Sequence, residues 1–72
     1  MEKRIFNIKC YVNEEREDTK LIKDIDKEEY TLEIGRKDAY KEFSKGFKEL
    51  EEKVLKEIRR EYQDENIEIK LI

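Results

Sequence analysis

The chain has 72 residues, of which 51% are charged and 36% hydrophobic, and its formal net charge is −3. A chain this short makes one small domain (residues 1–72), and its periodic apolar residues favour a folded protein over a disordered one. No apolar run approaches the about 18 residues that span a bilayer, and residues 1–4 lead directly into a strand-like pattern. A lone cysteine, Cys10, excludes an intrachain disulfide. We therefore expect a cytoplasmic protein with no signal peptide and no membrane segment.

Four segments alternate between apolar and polar residues, which is the period of a half-buried strand. They cover residues 4–12, 20–25, 30–34 and 67–71. The stretch NEEREDT at residues 13–19 has no apolar side chain and predicts a solvated loop. Residues 26–29 predict a polar turn, and Gly35 marks the end of the third strand.

Between residues 37 and 64 the apolar spacing changes to three and four, which is typical of an amphipathic helix. The apolar stripe consists of Tyr40, Phe43, Phe47, Leu50, Val54, Ile58 and Tyr62. Asp38 near the start and Arg59 and Arg60 near the end complement the helix dipole. Asn66 is the predicted stop signal.

The predicted order is thus β-β-β-α-β. Short polar loops between the first three strands predict an antiparallel three-strand meander. The helix then crosses one sheet face and delivers the last strand beside the first and parallel to it, through a right-handed crossover. We therefore predict an α+β two-layer sandwich with one long helix on one face.

Gly46 lies inside the predicted helix, at the shoulder of the apolar stripe near Ala39, where it leaves a shallow notch. Two interpretations remain open: a local kink or close backbone crossing, and a contact point for another chain. A helix of about 28 residues would be about 42 Å long, whereas a strand of about eight residues covers about 26 Å. We predict a continuous helix whose far end, with Leu55, Ile58 and Tyr62, is covered by a protein partner or by a second copy in a homodimer.

Little in the sequence points to catalysis. Histidine is absent, which excludes Ser–His and Cys–His pairs and the usual zinc sites. Cys10 alternates with core residues and is expected to be a buried small hydrophobe, and the only serine, Ser44, has no candidate base. Residues 24–28 have the D-x-D-x-E spacing of a calcium loop, but Glu29 and Gly35 stand where that loop needs glycine and glutamate. We predict no enzyme, no cofactor and no metal site.

The preferred functional hypothesis is a protein–protein interaction module, a small acidic inhibitor or adaptor. The chain is similar, in size and charge only, to phage-encoded inhibitors of host defence, including anti-CRISPR proteins that mimic nucleic acid. This resemblance implies that the protein acts in the host cytoplasm. The candidate partner-binding carboxylates fall in two groups, a loop group and a helix flank. They are Glu14, Glu15, Glu17 and Asp18, and Glu49, Glu57 and Glu61.

The alternative is a small nucleic-acid-binding protein that uses a lysine flank of the helix. This flank consists of Lys37, Lys41, Lys45 and Lys48. A sequence pI of about 5.1 argues against this alternative, and Tyr11 is the only aromatic residue expected on the outer sheet face. Nucleic acid is therefore the less favoured partner.

Overall fold

The computed structural model describes residues 3–72. The prediction that residues 1–4 lead directly into a strand therefore lies partly, at Met1 and Glu2, outside the described residues. The strands are β1 (Arg4–Asn13), β2 (Lys20–Asp24), β3 (Glu29–Gly35) and β4 (Ile67–Leu71). The helices are α1 (Arg36–Glu42) and α2 (Lys48–Tyr62), with a 3-10 turn, Phe43–Lys45, between them. One mixed four-stranded sheet packs against these helices, which confirms the α+β class. Across residues 3–72, no helix combines the length and the apolarity needed to cross a bilayer.

The strand order in the sheet is β2-β3-β1-β4. β4 lies beside β1 and parallel to it, as predicted. The predicted meander is wrong, because β1 pairs in parallel with β3, and β2 pairs with β3 at the sheet edge. The difference follows from burial: β3 buries Tyr30, Leu32 and Ile34, whereas Leu21 of β2 is only half-buried. The strand with the stronger apolar face takes the central position, and the weaker strand takes the edge.

The loop from β1 to β2 crosses the end of β3 at Gly35. The Arg36 N–H donates to the Arg16 carbonyl oxygen at 2.7 Å, and the Gly35 N–H donates to Thr19 Oγ1 at 3.0 Å. A Cβ on Gly35 would lie 2.4 Å from the carbonyl oxygen of Glu17, closer than any side chain allows. Gly35 is therefore the position where two backbone segments come too close for a side chain.

The predicted continuous helix is also wrong, because the chain turns at Gly46. Gly46 and Phe47 both have left-handed backbone angles, with φ of 64° and 60°. The Phe47 N–H donates to the Glu42 carbonyl oxygen at 3.1 Å, and the Gly46 N–H donates to the Phe43 carbonyl oxygen at 3.5 Å. This pair of hydrogen bonds is a Schellman motif, in which glycine takes the left-handed position that ends a helix.

The turn allows the molecule to cover its own apolar stripe. At 15 residues, α2 is about 22 Å long and no longer outruns the sheet. Leu50, Val54 and Ile58 are buried, and Ile58 has no exposed surface. The Tyr62 ring packs edge-on against Phe6 at 5.2 Å between centroids. The far end of the helix therefore needs no partner, and the predicted homodimer through this stripe loses its basis.

The sign of one substitution distinguishes a turn from a continuous helix. We expect Gly46→Ala to lower the free energy of unfolding by about 1–2 kcal/mol, since an L-residue is strained at this φ. Apart from the adjoining residues of the chain, no atom of residues 3–72 lies within 4 Å of the added Cβ, so new contacts would not offset the strain. In a continuous helix the same change would stabilise by about 1 kcal/mol. Urea unfolding measures the difference, and Gly46→Asn is the control, because asparagine tolerates the left-handed region and should cost less. A stabilising alanine would contradict the turn.

Candidate interaction surface

The carboxyl end of β1 extends past the helix that covers the rest of the sheet. With 10 residues, β1 is about 33 Å long, whereas α2 covers about 22 Å. Val12, near the end of β1, points to the same face as the buried Phe6 and Ile8 but is 47% exposed. The carboxyl end of β1, which α1 contacts, is therefore covered less completely than the part of the strand under α2.

Two aromatic side chains stand beside Val12. Tyr40 is 82% exposed and Phe43 is 79% exposed, which contradicts their predicted place in the core-facing stripe. The turn at Gly46 causes this difference, since two residues with left-handed backbone angles, Gly46 and Phe47, separate α1 and the 3-10 turn from α2. A cavity of about 500 Å³ lies here, and we call its lining the Val12 surface. It consists of Val12, Glu14, Arg36, Ala39, Tyr40 and Phe43.

A second groove of about 580 Å³ adjoins the Val12 surface and shares Val12 with it. Gly46 lies on its wall, so this predicted partner-binding residue does border open space. Cys10 also lines the groove and is half-buried. Burial raises the pKa of the Cys10 thiol, which disfavours the reactive thiolate.

The acidic loop predicted to meet a partner lies at the same end of the molecule. Glu14 lines the Val12 surface, and Glu15 follows it in the turn after β1. Glu17 forms an ion pair with Arg36 at 3.4 Å, and the Asp18 carbonyl accepts a hydrogen bond from Arg16. Within residues 3–72 the carboxylates of Glu14 and Glu15 have no hydrogen-bond or ion-pair partner. These two charges are the uncompensated ones beside the aromatic side chains.

The other predicted carboxylates are engaged within the molecule. Lys23 of β2 forms ion pairs with Glu57 at 2.6 Å and with Glu61 at 2.8 Å, and these hydrogen bonds raise the pKa of the Lys23 ammonium. Lys45 pairs with Glu49 at 3.1 Å and lowers the pKa of the Glu49 carboxyl. Glu49, Glu57 and Glu61 therefore form ion pairs within the molecule, while their side chains stay 46%, 43% and 30% exposed.

Two more predicted partner contacts, Leu55 and Ile58, face inward. Ile58 is fully buried, and Leu55 is half-buried against the core. The Tyr30 hydroxyl donates a hydrogen bond to the Tyr62 hydroxyl at 2.9 Å, and the Arg4 guanidinium lies 5.0 Å from the Tyr62 ring centroid. The apolar candidates on α2 therefore belong to the molecule's own packing.

The predicted lysine flank does not form one helical face. The turn at Gly46 places Lys37 and Lys41 on α1 and Lys48 on α2. Lys41 and Lys45 both approach Glu49, at 3.7 and 3.1 Å. The sequence-based flank thus depended on the continuous helix and is lost with it.

The outer sheet face and the D-x-D-x-E segment hold local polar contacts. The Tyr11 hydroxyl donates to Glu33 at 2.9 Å, and this bond raises the pKa of the Tyr11 hydroxyl. The turn predicted at residues 26–29 forms one residue earlier, at residues 25–28, and Asp24 Oδ1 accepts the Lys27 N–H there at 3.3 Å. Among residues 3–72, no three Cys, Asp or Glu side chains are grouped to hold a metal ion.

Glu42 fixes the turn that exposes the aromatic pair. Its side chain is 1% exposed, and Oε1 accepts the Leu50 N–H at 3.0 Å, in the first turn of α2. The carboxylate therefore caps α2, while the carbonyl of the same residue accepts the Phe47 N–H on the other side of the turn.

We expect Glu42→Ala to lower the free energy of unfolding by about 1–3 kcal/mol, because the Leu50 N–H is left buried without an acceptor. Glu42→Gln keeps an acceptor oxygen of the same reach and should lose less. Chemical unfolding followed by circular dichroism measures both. Equal losses for the two variants would show that Glu42 does not act as a cap.

The sequence missed Val12, Tyr40 and Phe43 as surface residues, because their spacing matched the core stripe. The available signal was their position: Tyr40 and Phe43 precede Gly46, and Val12 is the last apolar residue before a charged loop. No protein-family model matches the chain, and neither a curated protein nor a solved structure is significantly similar to it.

Proposed function

We propose that this chain is a non-enzymatic protein-interaction module, a small inhibitor or adaptor, that binds its partner through the Val12 surface. The observation that carries the proposal is the exposure of Tyr40 and Phe43, at 82% and 79%, beside the half-exposed Val12. Contiguous exposed apolar surface on a small protein is typical of an interaction site. Tyrosine is moreover enriched among the residues that dominate binding energy, and aromatic side chains bury large areas.

The charges beside the surface favour a basic partner. Glu14 and Glu15 have no ion-pair partner within residues 3–72, whereas Arg36 is already paired with Glu17. A complementary protein would present an apolar side chain to Tyr40 and Phe43 and lysine or arginine side chains to the loop. In such a complex the apolar contact supplies most of the affinity. The carboxylates orient the partner and raise the association rate.

Replacing both aromatic residues tests the proposal. We expect Tyr40→Ser/Phe43→Ser to abolish partner binding and to change the free energy of unfolding by no more than about 0.5 kcal/mol per site, because both side chains are already exposed. The matched control is Ile5→Ser, which removes an exposed apolar side chain (64%) from the outer sheet face.

The measurement is a quantitative pull-down from the native host with the wild type and both variants. The proposal requires proteins that the wild type and Ile5→Ser retain and that the double variant loses. A set of bound proteins that is identical for all three baits would exclude the Val12 surface.

Charge reversal tests the chemistry of the partner. We expect Glu14→Lys/Glu15→Lys to weaken binding by roughly tenfold, and wild-type binding to weaken as the salt concentration rises. The control is Asp26→Lys/Glu65→Lys, the same change of charge in loops at the opposite end of the sheet. Titration calorimetry with the purified partner at two salt concentrations gives both results. Binding that is insensitive to salt and to the reversal would show that the partner is not basic.

A further inference from the structure

One edge of the sheet, β4, carries unpaired backbone groups. The Ile72 N–H donates to the Ile8 carbonyl oxygen at 2.9 Å, and the Ile72 carbonyl oxygen accepts the Cys10 N–H at 3.1 Å. In a parallel ladder every second residue bonds the same neighbour, so Lys70 and Glu68 also face β1. The N–H and C=O groups of Ile67, Ile69 and Leu71 therefore point away from β1. Such a row is a template for another strand.

Side chains on β4 are sorted by face. Ile67, Ile69 and Leu71 lie on the helix side, where they pack in or against the core. Glu68 and Lys70 lie on the outer face, and Ile69 separates them. The segment Ile67–Leu71 therefore reads apolar, acidic, apolar, basic, apolar, and reversing its direction exchanges the two charges.

This sequence fits a second copy of itself in antiparallel pairing. A two-fold axis at Ile69 places Ile69 opposite its equivalent, so that the outward groups of residues 67, 69 and 71 form the hydrogen bonds. Glu68 of each copy then stands opposite Lys70 of the other, in a non-hydrogen-bonded pair with Cα atoms about 4.5 Å apart. Opposite charges in such a pair stabilise the sheet.

The two neighbouring registers are disfavoured. A shift in one direction places Glu68 opposite Glu68, and a shift in the other places Lys70 opposite Lys70. Both also shorten the paired segment. Like charges directly opposite destabilise a pair of strands, so charge selects the register centred on Ile69.

Within residues 3–72, two cationic side chains lie against this strand. Lys3 Nζ is 3.8 Å from the Glu68 carboxylate, and both that ion pair and the one with Arg59 must give way to the contact with Lys70 of the second copy. The backbone edge itself is partly covered by Arg59. Its Nε donates to the Ile67 carbonyl oxygen at 2.9 Å, and its guanidinium lies 3.6 Å from Glu68. A carbonyl oxygen has a second lone pair, so Ile67 can still accept the Leu71 N–H of the second copy. The groups of Ile69 and Leu71 stay open.

We propose that two copies of this chain join through β4, antiparallel and centred on Ile69, into one eight-stranded sheet. The contact does not involve the Val12 surface, and it differs from the dimer predicted through the helix stripe. Its register is set by the reciprocal pairs Glu68–Lys70 and Lys70–Glu68.

Solution mass and charge reversal test the proposal together. By analytical ultracentrifugation up to about 1 mM, we expect the wild type to reach twice its 8.9 kDa mass. Lys70→Glu should weaken the dimer by roughly tenfold, because both pairs become Glu–Glu, and so should Glu68→Lys. Mixing these two variants should restore a heterodimer, since each Glu then meets a Lys. Lys9→Glu makes the same change of charge on the outer face of the central strand β1 and should leave the dimer unchanged.

Leu71→Pro provides a test that does not depend on charge. Its N–H points outward, so proline should block the edge while the pairing of β4 with β1 persists, and circular dichroism checks the fold. We expect this variant to be monomeric. A wild type that stays monomeric at about 1 mM overturns the proposal. So does a dimer that is unaffected by Leu71→Pro and by Lys70→Glu, since it would form through another surface.

Discussion

The turn at Gly46 and Phe47, held on both sides by Glu42, is the constraint on which the rest of the molecule depends. A left-handed Phe47 costs about 1–2 kcal/mol, and Gly46 costs much less. In return, α2 is free to lie along the sheet and bury Leu50, Val54 and Ile58, each of which contributes about 1.5–3 kcal/mol. The gain exceeds the cost of the turn, so a short domain prefers two helices that fit its sheet over one that overhangs it. The same turn leaves Tyr40 and Phe43 outside.

The local periodicity of the sequence predicts which segments form strands but does not predict which strands are neighbours. The alternation in residues 67–71 gave β4 with its correct bounds, and the crossover rule placed it beside β1. The order of the other strands depends on long-range contacts: the loop of residues 14–19 crosses the end of β3, and that crossing needs Gly35. Nothing in the alternation of residues 20–25 separates an edge strand from the middle of a meander. The relative apolarity of β2 and β3 was the only cue, and it favours the observed order.

The helix prediction failed for a different physical reason. The spacing of apolar residues along the sequence is the same whether the helix is continuous or interrupted by a Schellman turn. Phe43, Phe47 and Leu50 therefore match the stripe of a continuous helix. One residue, Gly46, signals the interruption. Its unfavourable helix propensity costs only about 1 kcal/mol, which is small beside the free energy of tertiary packing. The same error affected the prediction of the candidate surface. Its acidic loop could be predicted from composition, whereas its aromatic part required knowing that α1 and α2 are separate.

The two proposed contacts occupy different parts of one sheet, and their geometry connects them. The Val12 surface lies at the carboxyl end of β1, and β4 runs parallel to β1. Antiparallel pairing of two β4 strands would therefore place the two Val12 surfaces at opposite ends of the joined sheet. Two such surfaces on one rigid body could engage a partner with repeated sites, and the second contact would then form at a high effective concentration. Each surface alone is small, so a paired sheet would raise the affinity of the module without enlarging its interface.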